Sequence, residues 1–205
     1  GQITENDRTV IGNTTPKFQG GFGLSGQWKN FDFTANFNYM VDFDVYNATN
    51  YMLSSSISNT NNFYNVLADF TQKNRWTYVR ADGECLYKNT NIDGSVNEYI
   101  TMNAGKSLWN PADVEDKVTH SYFVEDGSFL RLQDVTIGYT LPSNLTKKWG
   151  MSKVRFYASA SNLFILTGYS GYDPEVDVQS GLTPSMDYNR YPRSRSFVFG
   201  TNITF

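Results

Sequence analysis

Between Phe31 and Val45 the chain alternates regularly enough to exclude most folds. The odd positions are Phe31, Phe33, Ala35, Phe37, Tyr39, Val41, Phe43 and Val45; the even ones are Asp32, Thr34, Asn36, Asn38, Met40, Asp42 and Asp44. Only Met40 interrupts a period of two carried over fifteen residues. That period belongs to a β-strand with one apolar and one polar face. Strands of soluble domains run about five or six residues, whereas a strand tilted across a bilayer needs about 9–11. Length and aromatic density together predict a strand of a transmembrane β-barrel.

The preceding segment agrees. Phe18, Phe22, Leu24 and Trp28 share one parity with Gly20 and Gly26, while Gln19, Ser25 and Gln27 share the other. In a two-residue hairpin the flanking residues lie opposite each other on one face. A turn at Lys29-Asn30 therefore pairs Trp28 with Phe31, Gly26 with Phe33 and Leu24 with Ala35, apolar face on apolar face. Three more alternating stretches follow. Val135, Ile137, Tyr139 and Leu141 make one set, Val154, Phe156, Ala158 and Ala160 a second, and Phe197, Phe199, Thr201, Ile203 and Phe205 a third. Leu130 and Leu132 have the wrong parity for the first of these, which predicts a bulge near Asp134 or a locally apolar inner wall. The strands are expected over about residues 18–28, 31–45, 129–141, 153–163 and 195–205.

The connectors are lopsided. Two residues separate the first pair and about eleven the third, against roughly eighty (46–128) and roughly thirty (164–194) for the other two. Outer-membrane barrels combine short periplasmic turns with long extracellular loops in this way. Within the longest loop, Tyr51, Met52, Leu53, Ile57, Phe63, Tyr64, Val66, Leu67 and Phe70 predict one or two short helices. Five strands do not close, since membrane barrels begin at about eight and an open edge in lipid leaves backbone groups unpaired. Further strands are expected on the N-terminal side; the chain opens without an initiator Met.

Composition narrows the function. Aromatic residues make up 16% (15 Phe, 14 Tyr, 4 Trp), and a polar mean hydropathy is what alternating strands average to. No apolar run reaches the roughly 18 residues of a spanning helix. A net charge of −3 without basic clusters argues against nucleic acid as a partner. One Cys, Cys85, and one His, His120, exclude a disulfide framework and a Cys- or His-based metal centre. No nucleophile elbow, phosphate loop, zinc or dinucleotide motif occurs, so the chain is not read as an enzyme.

Several segments then fall into a familiar order. Ile11-Gly12-Asn13 with Pro16-Lys17 precedes the first strand, and Asp126-Gly127-Ser128-Phe129-Leu130-Arg131-Leu132 leads into the third. Ser161-Asn162-Leu163-Phe164 is followed by Thr167-Gly168-Tyr169-Ser170-Gly171-Tyr172-Asp173-Pro174-Glu175, Tyr191-Pro192-Arg193 and the terminal Phe-Val-Phe-Gly-Thr-Asn-Ile-Thr-Phe. Together they resemble the C-terminal end of the SusC/RagA family of TonB-dependent outer-membrane transporters of Bacteroidetes. The resemblance implies an all-β fold, the last five strands of a transmembrane antiparallel barrel of about 22 strands, with the plug domain lying outside these residues. It implies a multi-pass protein of the cell outer membrane that imports oligosaccharides or peptides with a SusD-like surface lipoprotein and is energised by TonB through the plug. An iron-chelate or vitamin receptor of the TonB-dependent class, or a non-transporting surface adhesin or porin, are the alternatives.

Candidate residues follow from position. Phe197, Phe199, Ile203 and Phe205 form a terminal aromatic signal for the barrel-assembly machinery, which would read it by strand addition; a plain amphipathic strand has the same pattern. Trp76, Tyr78 and Trp109 are candidates to stack on substrate or contact a lid, against packing within the loop. Asp173, Glu175 and Asp177 are spaced to hold Ca²⁺, but the EF-hand pattern is not met and turn-capping is the plainer role, so no cofactor is expected. Arg193 and Arg195 beside Tyr191 and Pro192 fit an acidic ligand or a pairing at the rim. By parity Asp32, Asn36, Asn38, Asp42, Asp44, Arg155 and Tyr157 face the lumen. Phe22, Leu24, Trp28, Phe31, Phe33, Phe37, Tyr39, Ile137, Tyr139, Phe156, Phe197, Phe199 and Phe205 face the lipid bilayer.

Overall fold

The alternating segments become one sheet. In chain order the elements are β1 (Phe18–Trp28), β2 (Phe31–Val41), β3 (Asp44–Asn47) and α1 (Ala48–Met52), then the two-residue strands β4 (Tyr78–Val79), β5 (Cys85–Leu86) and β6 (Ile100–Thr101). There follow β7 (Val124–Asp126), β8 (Phe129–Thr140), α2 (Ser143–Thr146), β9 (Lys153–Thr167), β10 (Met186–Asp187) and β11 (Ser196–Thr204). The computed structural model describes residues 4–54, 65–71, 74–79, 85–86, 100–101, 106–111, 119–176 and 184–205, with the backbone alone for 78–79, 85–86 and 100–101. The chain divides into two compact units, Gly1–Tyr46 with Val124–Phe205, and the insertion Asn47–Phe123.

In the first unit, five strands form an antiparallel sheet in the order β1-β2-β8-β9-β11, which is their order along the chain. The first hairpin has the anticipated register: Trp28 faces Phe31, Gly26 faces Phe33 and Leu24 faces Ala35. Lys29 takes a left-handed φ of 53° in the turn. Asn30 ties that turn to β8: its Nδ2 donates to the Thr140 carbonyl (2.7 Å) and its carbonyl accepts from the Thr140 N–H (2.8 Å).

Rows continue across all five strands. Gly26, Phe33, Ile137, Ala158 and Phe199 make one, and Leu24, Ala35, Val135, Ala160 and Phe197 the next. The opposite face carries Ser25, Thr34, Thr136 and Ser159. On the apolar face the large side chains stay open: Trp28 is 68% and Phe199 81% exposed. Burying a large apolar side chain stabilises by about 1.5–3 kcal/mol, so this face needs an apolar covering. Among the described residues no helix is long and apolar enough to cross a membrane.

The wrong-parity leucines are explained by a bulge. Asn36 pairs with Asp134 and Phe37 with Leu132, so Gln133 is skipped. On the other side Asp134 pairs with Ser161 and Leu132 with Phe164, and Asn162 between them has a left-handed φ of 53°. The extra residue returns Leu130 and Leu132 to the face of Val135 and Ile137. An apolar inner wall is present as well: Phe43, Val45, Phe129 and Tyr169 form a buried cluster with Met40, Ile165 and Val176 packed against it.

That cluster corrects the second strand. The expected strand over 31–45 stops at Val41 because Asp42 turns left-handed, with φ 64°. Phe43 and Val45 then turn into the cluster instead of extending the outward row. Asp42 and Asp44 leave the lumenal row with them. Asp42 Oδ2 lies 2.6 Å from Lys17 Nζ, and Asp44 Oδ2 accepts from the Asn13 N–H at 2.7 Å. β3 instead joins a small sheet in the order β10-β3-β7. β9 reaches Thr167, past the expected 163, because its irregularity inserts two residues and so preserves parity.

In the insertion, α1 starts at Asn47, whose side chain accepts from the Asn50 N–H (2.9 Å), a normal N-cap. Val66, Leu67 and Phe70 lie in turns rather than a second helix: the Leu67 N–H donates to the Leu53 carbonyl and the Phe70 N–H to that of Leu67, both at 3.0 Å. Ile57, Phe63 and Tyr64 fall outside the described residues.

Candidate functional site

The polar face of the sheet is organised by short hydrogen bonds. Asp32, Gly138 and Tyr157 share an inward row. Arg155 reaches across β8 from β9 to Asp32 on β2, its Nε donating to Oδ1 at 2.9 Å and its Nη2 paired with Oδ2. The reach needs Gly138, because a Cβ there would collide with both the guanidinium and the carboxylate. Beside this staple, Thr136 and Ser159 hydroxyls meet at 2.7 Å, and Ser161 Oγ donates to Asp134 Oδ1 at 2.7 Å. Asn36 and Asn38 lie on the same face by register. Between the bulge and the short turns the inner surface thus carries hydroxyl, amide and paired charge, with the apolar cluster on the other side of the bulge.

Past the bulge, one guanidinium organises the last loop. Arg131 is 4% exposed; its Nη2 donates to Asp173 Oδ1 at 2.6 Å and its Nε lies 3.4 Å from Glu175 Oε2. Glu175 Oε1 also accepts from Arg193 Nη2 at 2.7 Å, and Asp173 Oδ1 from the Glu175 N–H at 3.0 Å. The two carboxylates spaced to hold calcium therefore face guanidinium groups, while Asp177 lies outside the described residues. Among the described residues no group of three or more His, Cys, Asp or Glu side chains is arranged to hold a metal. Arg193 takes the rim pairing.

Tyr169 closes the apolar cluster. Its hydroxyl donates to buried Asp187 Oδ2 at 2.7 Å, and burial together with that bond holds the phenol well above its usual pKa. It stays a donor at any physiological pH. Ser170 adds two bonds to Glu125, from its N–H (2.9 Å) and its hydroxyl (2.8 Å). Strands β7 and β10 and the last loop are therefore cross-linked by side chains.

In the insertion, Trp109 is a packing centre. Its ring lies 5.2 Å from those of Phe70, His120 and Tyr122 and 5.7 Å from Phe123, and its Nε1 donates to the Ser54 carbonyl at 3.2 Å. Burial in this cluster pushes the His120 pKa down. Trp76 is different: it is 49% exposed and borders a shallow groove of about 380 Å³ with Lys106, Ser107 and Asn110. Its N–H donates to the Leu108 carbonyl at 2.8 Å. Tyr78 contributes backbone to the β4 pairings with Leu86 and Thr101, and Cys85 pairs with Val79. Two of the three loop aromatics are thus placed: Trp109 inside and Trp76 outside.

On β11, Phe197, Phe199 and Ile203 stand on the outward face, and Phe205 lies just past the strand end, open to solvent. Arg131 and the Tyr169–Asp187 pair were not found by sequence reasoning. The parity of Arg131 is readable only across the bulge, and the partners of both groups lie in loops.

No family model matches the chain. Among curated proteins it is 33% identical over 211 residues to a TonB-dependent receptor of Formosa agariphila, a match covering 100% of this chain and 18% of that protein. The TonB-dependent receptor SusC of Bacteroides thetaiotaomicron is 41% identical over 86 residues, 41% of this chain and 8% of SusC. The chain thus spans less than a fifth of the length of these relatives. Among solved structures, the RagAB peptide importer in its closed-closed state superposes with a TM-score of 0.68 at 23% identity, and in its open-open state with 0.64 at 24%. Each covers 100% of this chain and 19% of the other. With the apolar outer face, the polar inner face and the lopsided connectors, these likenesses identify the chain as a member of the SusC/RagA family of TonB-dependent receptors, corresponding to the C-terminal part of the barrel.

Proposed function

We propose that these residues form part of the wall of an outer-membrane, TonB-dependent importer that takes up oligosaccharides or peptides together with a SusD-like surface lipoprotein. The observation that carries this reading is the division of one sheet into an open apolar face and a hydrogen-bonded polar face. The first suits lipid; the second suits a water-filled bore with fixed charges. The relatives' class supports TonB-driven uptake, and the RagAB likeness favours a lipoprotein partner. Among the described residues of the insertion, Trp76, with its open ring and shallow groove, is the one best placed to touch cargo or lid. Tyr78, Trp109 and a calcium ion at Asp173, Glu175 and Asp177 have weaker claims. Phe205 and its outward neighbours on β11 serve as the assembly signal.

The test uses the full receptor, tagged and extracted in detergent from its own membrane. A lipoprotein that co-purifies with it, and labelled oligosaccharide or peptide uptake that collapses when the proton gradient is discharged, are the expected results. Uptake indifferent to the gradient would favour a passive porin. A 23 kDa protein that folds without detergent would overturn the membrane reading altogether.

A further inference from the structure

The short-turn end of the sheet carries positive charge that the described residues leave unbalanced. Lys29 sits in the β1–β2 turn, Lys147 and Lys148 in the helical turn after α2, and Lys153 at the start of β9. All four are exposed. Residues 141–153 contain no Asp or Glu. Among the described residues no carboxylate lies within ion-pair distance of Lys29, Lys147 or Lys148, and Lys153 adds positive charge near Asp32.

Apolar side chains stand beside these lysines. Leu145 and Trp149 are four residues apart in the continuous helical segment Ser143–Trp149 and are 44% and 62% exposed. Leu145 belongs to α2 and Trp149 ends the 3-10 turn Lys147–Trp149 that continues it, so both open apolar side chains flank the lysine pair in sequence. Lys29 Nζ lies 4.7 Å over the ring of Trp28, which is open on the outward face. Backbone bonds join the turns into one edge: Asn30 to Thr140, and the Ser152 N–H to the Thr204 carbonyl at 2.8 Å. The edge continues the outward row Trp28, Phe31, Tyr139 and Phe156.

An apolar row bordered by tryptophans and then by lysines matches the layers of a bilayer interface. Aromatic side chains collect at the headgroup level, and lysines lay their stems along apolar surface while the ammonium reaches the headgroups. An anionic surface attracts such lysines specifically. We propose that Lys29, Lys147 and Lys148, with Leu145 and Trp149, form a site for the phosphate groups of anionic phospholipid in the leaflet at the short-turn end. A bilayer fits better than an acidic protein because the charge borders the face that needs an apolar covering, and because Leu145 and Trp149 are open beside it. The proposal rests on the membrane-wall reading above.

The experiment takes the full receptor in detergent, confirms by heat-dependent gel mobility that the barrel is folded, and titrates it with phosphatidylglycerol, phosphatidylcholine or inorganic phosphate under native mass spectrometry. The expected result is preferential retention of phosphatidylglycerol. The Lys29→Gln, Lys147→Gln, Lys148→Gln triple variant should lose about fivefold in affinity per lysine, with phosphatidylcholine binding unchanged. Lys17→Gln, at the other end of the sheet, serves as the control and should bind like the wild type. A folded triple variant that keeps wild-type phosphatidylglycerol binding overturns the proposal. So does displacement of the lipid by inorganic phosphate, which would mark a small-anion site, or retention of an acidic protein in place of lipid. A wild-type receptor with no heat-dependent shift would instead overturn the membrane-wall reading beneath it.

Discussion

The sheet and the insertion reach order by different routes. In the sheet, each outward side chain meets neighbours that the period of two dictates, as where Phe22 stacks on Phe37 with centroids 4.8 Å apart. Its contacts are repeats of one rule. In the insertion, Trp109 gathers Phe70, His120, Tyr122 and Phe123 from separated stretches of chain, with no repeating spacing. The wall is therefore organised by local register and depends on an apolar solvent, whereas the insertion has a small core of its own. Changes in one should leave the other standing.

The largest expected effect lies within the first unit, where the sheet meets its last loop. Arg131→Met leaves Asp173 without its guanidinium in a nearly closed site, and breaking a buried pair costs about 3–5 kcal/mol. Because Arg131 lies on β8, barrel stability measured by urea titration in detergent should fall, and the loop at 168–176 should become protease-sensitive. A loss confined to the loop would show the network to be a local clasp. In the insertion, Trp109→Ala should cost about 3–5 kcal/mol of local stability. Hydrogen exchange should rise across 65–71, 106–111 and 119–123 while the wall keeps its heat-dependent mobility. Joint loss of both would deny that the two units are separable.

Next comes the facing of β2. Phe37→Arg sets a charge in lipid and should cost about 2–4 kcal/mol, whereas Asn36→Arg, on the polar face, should cost nearly nothing. Equal effects on assembly into liposomes would refute the assignment of faces. The smallest effect is titration of His120. Burial lowers its folded pKa, so the unfolded chain takes up the proton first as pH falls. Full stability of the aromatic cluster should persist above the ordinary imidazole pKa of about 6.5 and decline below it. Hydrogen exchange at 119–123 compared between neutral and acid pH should show this decline, and His120→Phe should abolish it.

The difference between the two routes also explains what the sequence made legible. Trp28 opposite Phe31 follows from a two-residue turn and a parity, so the hairpin register is legible in the sequence. The bulge was visible as Leu130 and Leu132 falling out of step. The end of β2 was not, because Phe43 and Val45 keep perfect alternation while Asp42 rotates them into a different environment. Periodicity reports a face, not what covers it. The same limit applies to the rim: Asp173 and Glu175 show carboxylate spacing in the sequence, but their partner Arg131 lies about forty residues away, on a strand whose facing depends on the bulge. Trp76 and Trp109 look alike in the sequence, and only tertiary contacts separate the open ring from the packed one.

The skipped residue at Gln133 gives the strand something like a reading frame. Elsewhere along β8, losing one residue would invert every side chain beyond it, sending the leucines into the bore and Arg131 into lipid. At position 133 the loss is silent in that sense, since Asp134 would follow directly on Leu132 with both already facing correctly. The bulge is therefore the point on β8 where length can drift by one residue without a change of meaning.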